Sequence, residues 1–287
     1  MSKSPFSCYN EAMKVIAYGK LNLGLYVCGR RGGYHVIDSI MHTVDRGDLL
    51  DVSESDEIRI KINGASVPEN SDSTRKAAFA VYRQTGVCFS AVVDKRIPMC
   101  GGMGGSSADG AGLIFAAEKL LAKRGIYLDT QKAAAETGSD VAFMIRGGAA
   151  RVRGTGDDIT LLPSYGFDAL VIDCGEVDTA KCYAAFDRLG LPCGGSCAAA
   201  EKKLLRGEEP DDDELTNDLF LPACTLNARI TEAHELLSRN GIKARLTGSG
   251  GCLFVTGAAA DAAESLLGDK YRCFRVRSKA CGVEVCD

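Results

Sequence analysis

The residues best suited to chemistry are gathered in one run, Pro98 to Gly112, which reads PMCGGMGGSSADGAG. Gly101, Gly102, Gly104 and Gly105 carry no Cβ, so the backbone can turn sharply and bring its amides close to a ligand. The stretch before the run, Phe89 to Lys95, has the composition of a strand. The stretch after it, Leu113 to Leu121, is apolar at the three-to-four spacing of a helix face. Amides converging at a helix start bind anions, because the helix dipole and the unpaired first-turn N–H groups act together, so phosphate is the expected ligand. Ser106 and Ser107 add hydroxyls suited to phosphate or a metal ion, and Asp109 adds a carboxylate. The same run also reads as a plain tight connection with Ser106 or Ser107 as helix N-cap. It is neither a Walker A loop, since no Gly-Lys-Ser/Thr ends it, nor a dinucleotide GxGxxG fingerprint.

Two charged residues elsewhere are candidates to act on a ligand held there. Asp140 follows Gly138 and Ser139 and precedes the apolar run Val141 to Ile145, which is expected to be a strand. A carboxylate beside such a run must find a partner or stay wet. Lys20, at the head of the alternating stretch Leu21 to Val27, is the expected partner. The bland alternatives are a turn residue for Asp140 and a solvated edge residue for Lys20. His35, beside Tyr34 after two glycines, suits either recognition of a flat polar ring or an ordinary surface position.

The elements that must position these groups follow from composition and pattern. A chain of 287 residues with 46% hydrophobic content can bury the cores of two ordinary domains. No apolar stretch approaches the roughly 20 residues that cross a bilayer. Residues 1–12 lack the basic start and apolar run of a signal peptide, and Met13 is an alternative start. A cytoplasmic protein is expected from the 13 scattered cysteines, an odd number without CxxC pairs. Cys193 and Cys197 lack a second ligand pair nearby for zinc, and Cys28, Cys174 and Cys252 read as small core residues. A net charge of −4 argues against a nucleic-acid partner, and the cluster Asp211 to Glu214 reads as a solvated loop.

Short strands are expected at Val15 to Ala17, Lys20 to Val27, Tyr34 to Val44 and Leu49 to Val52, with turns at Gly29 to Gly33 and Asp45 to Asp48. Ser73 is expected to cap a helix ending before Gly86, and Asp129 one running to Thr137. Pro163 to Gly166 reads as a boundary between an N-terminal unit, 1–163, and a C-terminal one, 164–287. In the second unit, strands are expected at Ala169 to Cys174, Lys243 to Leu246, Cys252 to Val255 and Cys273 to Val276. Helices are expected at Thr179 to Leu189, Ala198 to Arg206, Thr225 to Arg239 and Ala258 to Leu267. That is an α+β sandwich with helices over one face of an antiparallel sheet.

Taken together and in order, the motifs resemble those of the GHMP small-molecule kinases. The resemblance rests on Tyr18-Gly19-Lys20-Leu21-Asn22-Leu23, on Gly29-Arg30-Arg31 followed by Gly33-Tyr34-His35, and on the glycine run. It continues through Gly138-Ser139-Asp140-Val141-Ala142, Asn217-Asp218-Leu219 and Thr247 to Gly251. The turn ahead of Tyr34 is shorter than the family's, Ala142 replaces a proline, Ser106 takes a glycine slot and Ala108 stands where a second serine is common.

The resemblance implies a two-domain α+β fold, a sheet-plus-helices ATP-binding domain followed by an α/β sandwich. It also implies ATP-dependent phosphorylation of an alcohol, nearest to the members that act on the 2-hydroxyl of a cytidine diphosphate-linked methylerythritol. It assigns catalysis to Lys20 and Asp140. ATP falls to Pro98, Gly101, Gly102, Met103, Gly104, Gly105, Ser106, Ser107 and Asp109, and Mg2+ to Ser107. The substrate falls to Asn22, Tyr34, His35 and Tyr183, the two tyrosines flanking the base. The protein would be a monomer or homodimer without nucleic-acid or membrane partners. The rival readings are a GHMP kinase for mevalonate, homoserine or a sugar, and a nucleotide-binding regulator without turnover.

Overall fold

A computed structural model describes residues 11–64 and 72–286, and most of the stretch before Met13 lies outside the described residues. Where a series of short strands is expected, two long ones form. Strand β1 (Ala12–Arg31) and strand β2 (Tyr34–Ser55) pair antiparallel from Ala12↔Ser53 to Arg31↔Tyr34 around the two-residue turn Gly32-Gly33. The Asp45 to Asp48 stretch is therefore strand, not turn. Register shifts between Tyr18 and Lys20, Asn22 and Gly24, and Val27 and Gly29 leave Gly19, Leu23 and Cys28 out of the pairing as bulges or irregularities.

Strands β3 (Ile60–Asn63) and β4 (Cys88–Asp94) extend the sheet beyond β2, and β5 (Ala149–Gly154) and β6 (Asp158–Leu162) pair along another stretch of it. One face is covered by α1 (Ser73–Thr85), α2 (Gly105–Lys123), α3 (Thr130–Thr137) and α4 (Val141–Arg146). The N-cap of α1 is Asp72, accepting from the amides of Thr74 and Arg75, so Ser73 falls inside the helix. Helix α4 replaces the strand expected at Val141 to Ile145. The helical form packs Phe143 and Met144 against the α2 layer, which a short apolar run cannot announce by periodicity alone.

The chain changes sheets between Leu162 and Asp168. Strand β7 (Asp168–Asp173) is followed by α5 (Thr179–Leu189), α6 (Ala198–Leu205), α7 (Phe220–Leu226) and α8 (Ala228–Arg239). After these come β8 (Arg245–Leu246), β9 (Cys252–Thr256), α9 (Ala259–Leu267) and β10 (Arg272–Arg277). The second sheet, in the order β10-β7-β9-β8, is antiparallel throughout. The helix expected from Thr225 to Arg239 is broken at Asn227, whose extended backbone closes α7 and whose side chain caps α8 by accepting from Arg229 N. The last strand, β11 (Val283–Val285), leaves the second sheet and pairs with β1, Val15 facing Val285.

Two cores result. The larger lies between the first sheet and α1 to α4, around Leu21, Leu50, Phe89, Leu113 and Phe143. The smaller one, under α5 and α7 to α9, takes in Leu25 and Val27 from the far end of β1. Strand β1 thus belongs to both cores, as do β7 and β9, whose successive residues face one core and then the other.

The units are also joined by a buried ion cluster. Arg151 on β5 holds Asp38 on β2 through Nε (2.8 Å) and Nη2 (2.6 Å), and reaches Glu201 on α6 at 2.6 Å. Burial alone would raise the Asp38 carboxyl. Hydrogen bonds from Arg151 and Ser196 outweigh it and hold the carboxyl below the ordinary range. Its stabilisation is therefore present above the ordinary carboxylate range and is lost as pH falls through the folded value. Arg151→Met would strand Asp38 without a counter-charge, an expected loss of about 3–5 kcal/mol at pH 7. Urea unfolding from pH 7 to 3 should show the gap between variant and parent narrowing with acid. A constant gap would mean that the cluster contributes only packing.

Candidate active site

The glycine run connects β4 to α2, as the sequence suggests. Gly104 is the N-cap, in the left-handed region (φ 73°), and the first helical amide to find an acceptor belongs to Ala108, 2.9 Å from Gly104 O. The amides ahead of it have no intrahelical acceptor, so the start of α2 presents backbone N–H groups of the kind that suit an anion. Neither serine is the cap: Ser106 shares a hydrogen bond with Ser73 (2.8 Å), and Ser107 stands half-buried in the first turn.

The loop is held in shape by the second unit. Gly102 (φ 77°) lies against the turn from Thr247 to Gly250, so close that a Cβ would land on Thr247 O and 2.8 Å from Gly250 O. Thr247 Oγ1 donates to Gly102 O at 3.2 Å and accepts from Asn22 N at 3.0 Å. Asn217 donates its amide to Leu246 O (2.8 Å) and Gly248 O (2.9 Å), fixing the turn itself.

Lys20 is not a solvated edge residue. It is 4% exposed, and its ammonium donates to Gly102 O at 2.8 Å and to Asn22 Oδ1. Asp140 is not its direct partner, since no ion pair joins them. Instead its charge acts on Lys20 across a gap: burial lowers the lysine, and Asp140 opposes that shift. The gap follows from the local fold. Asp140 heads α4 without making a capping bond, so its carboxylate is not tied to the helix.

Asn22, expected to touch substrate, is fully used inside the protein. It is 1% exposed, accepts from Lys20, donates to Ser39 Oγ (2.8 Å), and through its backbone binds Thr247. Its role in the geometry is to orient Lys20. Met103 is likewise buried and contributes its carbonyl, which accepts from Lys20 N at 2.9 Å.

Asp109 does not face a ligand. It is buried, with Oδ2 accepting from Lys95 Nζ at 2.6 Å, and Lys95 also pairs with buried Asp48. Burial pushes the Asp109 carboxyl well above the carboxylate range, Lys95 pulls it back, and Asp48 adds to the rise. This cluster braces the loop from below. Asp48 Oδ1 accepts from Ile97 N at 2.8 Å, and a Cβ on Gly105 would come within 3.3 Å of Lys95 Nζ. Lys95 is not among the residues expected at the site, and Thr247 stands in the sequence only as the first residue of the Thr247 to Gly251 motif. A lysine at the end of a strand carries no signal of burial, and a threonine hydroxyl shows its use only when the partner loop is in place.

The charge of Asp140 also reaches an aromatic group. The Asp140 charge adds to the burial that pushes the Tyr183 hydroxyl up. Tyr183 stacks on His35 (ring centroids 4.6 Å apart, 22° between planes), and Phe186 meets the same imidazole edge-on at 6.3 Å. The expected pair of tyrosines flanking one base is therefore not the arrangement here. His35 already covers the Tyr183 face, and Tyr34 stands apart, 74% exposed. His35 Nε2 lies 2.9 Å from Asp187 Oδ1, and Asp187 Oδ2 takes Arg30.

Among the described residues no three His, Cys, Asp or Glu side chains are grouped to hold a metal ion. With Asp109 turned to Lys95, the hydroxyl of Ser107 is the protein oxygen that fits a small hard cation at the start of α2. Such an ion would draw its remaining ligands from phosphates and water, the usual habit of Mg2+. Among the described residues no helix is long and apolar enough to cross a membrane.

Residues 73–148 match the GHMP kinases N terminal domain and residues 202–272 the GHMP kinases C terminal domain. The chain is similar to two proteins named 4-diphosphocytidyl-2-C-methyl-D-erythritol kinase. That of Desulfitobacterium hafniense (strain Y51) is 32% identical over 250 residues, and that of Thermoanaerobacter sp. (strain X514) 29% over 249. Each alignment spans 84% of this chain and 86% of the relative. A crystal structure of 4-(cytidine 5'-diphospho)-2C-methyl-D-erythritol kinase superposes with a TM-score of 0.75 at 27% identity, covering 93% of this chain and 99% of that one. With unpaired amides at the start of α2, a buried lysine bonded to Gly102 O and an untied carboxylate across a gap from it, the chain belongs to the GHMP kinase family.

Proposed function

We infer that the protein transfers the γ-phosphoryl group of ATP to the 2-hydroxyl of 4-diphosphocytidyl-2-C-methyl-D-erythritol, giving the 2-phosphate and ADP. The observation that carries this reading is the bond from the buried Lys20 ammonium to Gly102 O, beside the unpaired α2 amides. Across a gap from Lys20, the charge of Asp140 reaches both that lysine and Tyr183, which stacks on His35. Phosphate chemistry lies at one end of this arrangement and a flat polar ring fits the other. A relative named as the kinase of this substrate is 32% identical over 84% of this chain.

In this reading the α2 amides and Ser107 hold the nucleotide's phosphates, and Mg2+, when bound, neutralises charge between them. Asp140 orients the acceptor hydroxyl and takes its proton. Lys20, fixed by Asn22 and Gly102 O, places a positive charge beside the phosphoryl group as it moves. In such reactions positioning and electrostatics carry most of the rate. A nucleotide-binding regulator would have no use for a buried lysine held by three partners opposite an unpaired carboxylate.

The test is ADP release with ATP and Mg2+, comparing 4-diphosphocytidyl-2-C-methyl-D-erythritol with mevalonate, homoserine and galactose. Turnover confined to the cytidylated alcohol is expected. Turnover of another acceptor would keep the kinase and replace the substrate; ATP binding with no turnover of any would favour the regulator.

A further inference from the structure

Helix α5 presents three side chains to one imidazole. Tyr183 stacks on His35, Phe186 closes its edge, and Asp187 bonds Nε2 at 2.9 Å. These positions, i, i+3 and i+4, share a helix face. Each oxygen of Asp187 has one partner, Oδ1 with His35 and Oδ2 with Arg30. His35, through its hydrogen bond, and then Arg30 hold this carboxyl below the ordinary range against the effect of burial, so it is ionised and can only accept. The hydrogen on that bond must therefore sit on His35 Nε2. In the neutral ring Nδ1 then carries the lone pair, and among the described residues it makes no hydrogen bond.

We propose that Asp187 is a positioning residue that sets base specificity, fixing the His35 tautomer so that Nδ1 accepts from the 4-amino group of cytosine and repels the 4-carbonyl of uracil. This rests on the cytidylated substrate proposed above. The two pyrimidines have nearly the same shape and differ where donor becomes acceptor, so an acceptor in a fixed place is the discriminating device. A site built to bond a donor rejects its mismatch strongly, because the buried partner is left unpaired. Asp187 itself touches neither base nor reacting atoms. It acts through His35, much as a buried carboxylate orients an imidazole in hydrolytic triads.

The experiment compares kcat/KM for 4-diphosphocytidyl-2-C-methyl-D-erythritol and its uridylylated analogue in the parent enzyme, Asp187→Asn and Asp187→Glu. The parent is expected to prefer cytidine by about 100-fold or more. Asparagine, which can donate or accept, frees the tautomer. The preference should then fall by about tenfold or more, with kcat on the cytidylated substrate changed far less than KM. Glutamate keeps an obligate acceptor and should retain most of the preference. A merely structural residue would weaken both substrates alike and leave their ratio unchanged, which would overturn the proposal while the substrate reading stood. A parent with no cytidine preference would remove the substrate reading first. Independently of substrate, 15N-histidine spectra should show His35 protonated at Nε2 in the parent and mixed in Asp187→Asn. A parent ring protonated at Nδ1 alone would sink the idea on its own.

Discussion

Asp140→Asn is expected to lower kcat by about 10³ while leaving nucleotide affinity within a few-fold of the parent, the range in which a positioned proton acceptor acts. Asparagine preserves the shape at the head of α4, where the carboxylate makes no capping bond, so stability should hardly change. Two losses combine in this variant. The acceptor hydroxyl has no base to orient it, and Lys20 loses the charge that opposes the lowering effect of its burial. A more weakly protonated lysine stabilises the moving phosphoryl group less well. Steady-state turnover with calorimetric titration of an unreactive ATP analogue separates the two parameters. A fall in kcat of less than tenfold would exclude Asp140 from proton transfer; an equal loss of nucleotide affinity would place it among the phosphate contacts instead.

The second large effect is steric. Gly102→Ala should destabilise the protein by about 4 kcal/mol or more, the upper end of what single substitutions do, and should cut turnover at least 100-fold in whatever folds. The added methyl would meet backbone oxygens of Thr247 and Gly250, which cannot swing aside as a side chain could, and φ is already left-handed. Gly125→Ala is the control. Its φ of 70° is similar, but nothing lies within 4 Å of the added atom, so only the conformational cost of about 1–2 kcal/mol remains. Urea unfolding of both variants tells the causes apart. Equal losses would mean that backbone strain alone makes Gly102 necessary and that the two loops do not depend on each other's fit.

The sequence was most informative where chemistry forces a residue type. The glycine run, its strand and helix, and the Asp129 cap could all be read because glycine, capping aspartate and apolar spacing have local causes. The lengths of β1 and β2 could not, because the glycines beside the register shifts, Gly19, Gly24 and Gly29, look like turns until a partner strand crosses them. Helix α4 was hidden because six mainly apolar residues between the Gly138-Ser139-Asp140 turn and the Gly147-Gly148 pair suit a strand equally well. The site residues divide along the same line. Lys20 and Asp140 stand out by type, whereas the reassignment of Asn22 and Asp109 to inward-facing work depends on Ser39, Thr247, Lys95 and Asp48, which are distant in sequence. The stacking of His35 on Tyr183 likewise needs α5 delivered from the second unit.

The pairing of β11 with β1 reaches beyond the resting architecture. Tyr18, two residues before Lys20, donates its amide to Gly282 O (2.8 Å) and its hydroxyl to Glu284 (2.7 Å). During synthesis the first sheet therefore stays one strand short until residue 285 has left the ribosome, although most of its other strands emerge early. Domains usually fold as units in the order they are made. Here the strand bearing the buried lysine keeps an open edge while the whole second unit is translated. The edge of β1 just ahead of Lys20 is thus closed only when β11 joins it.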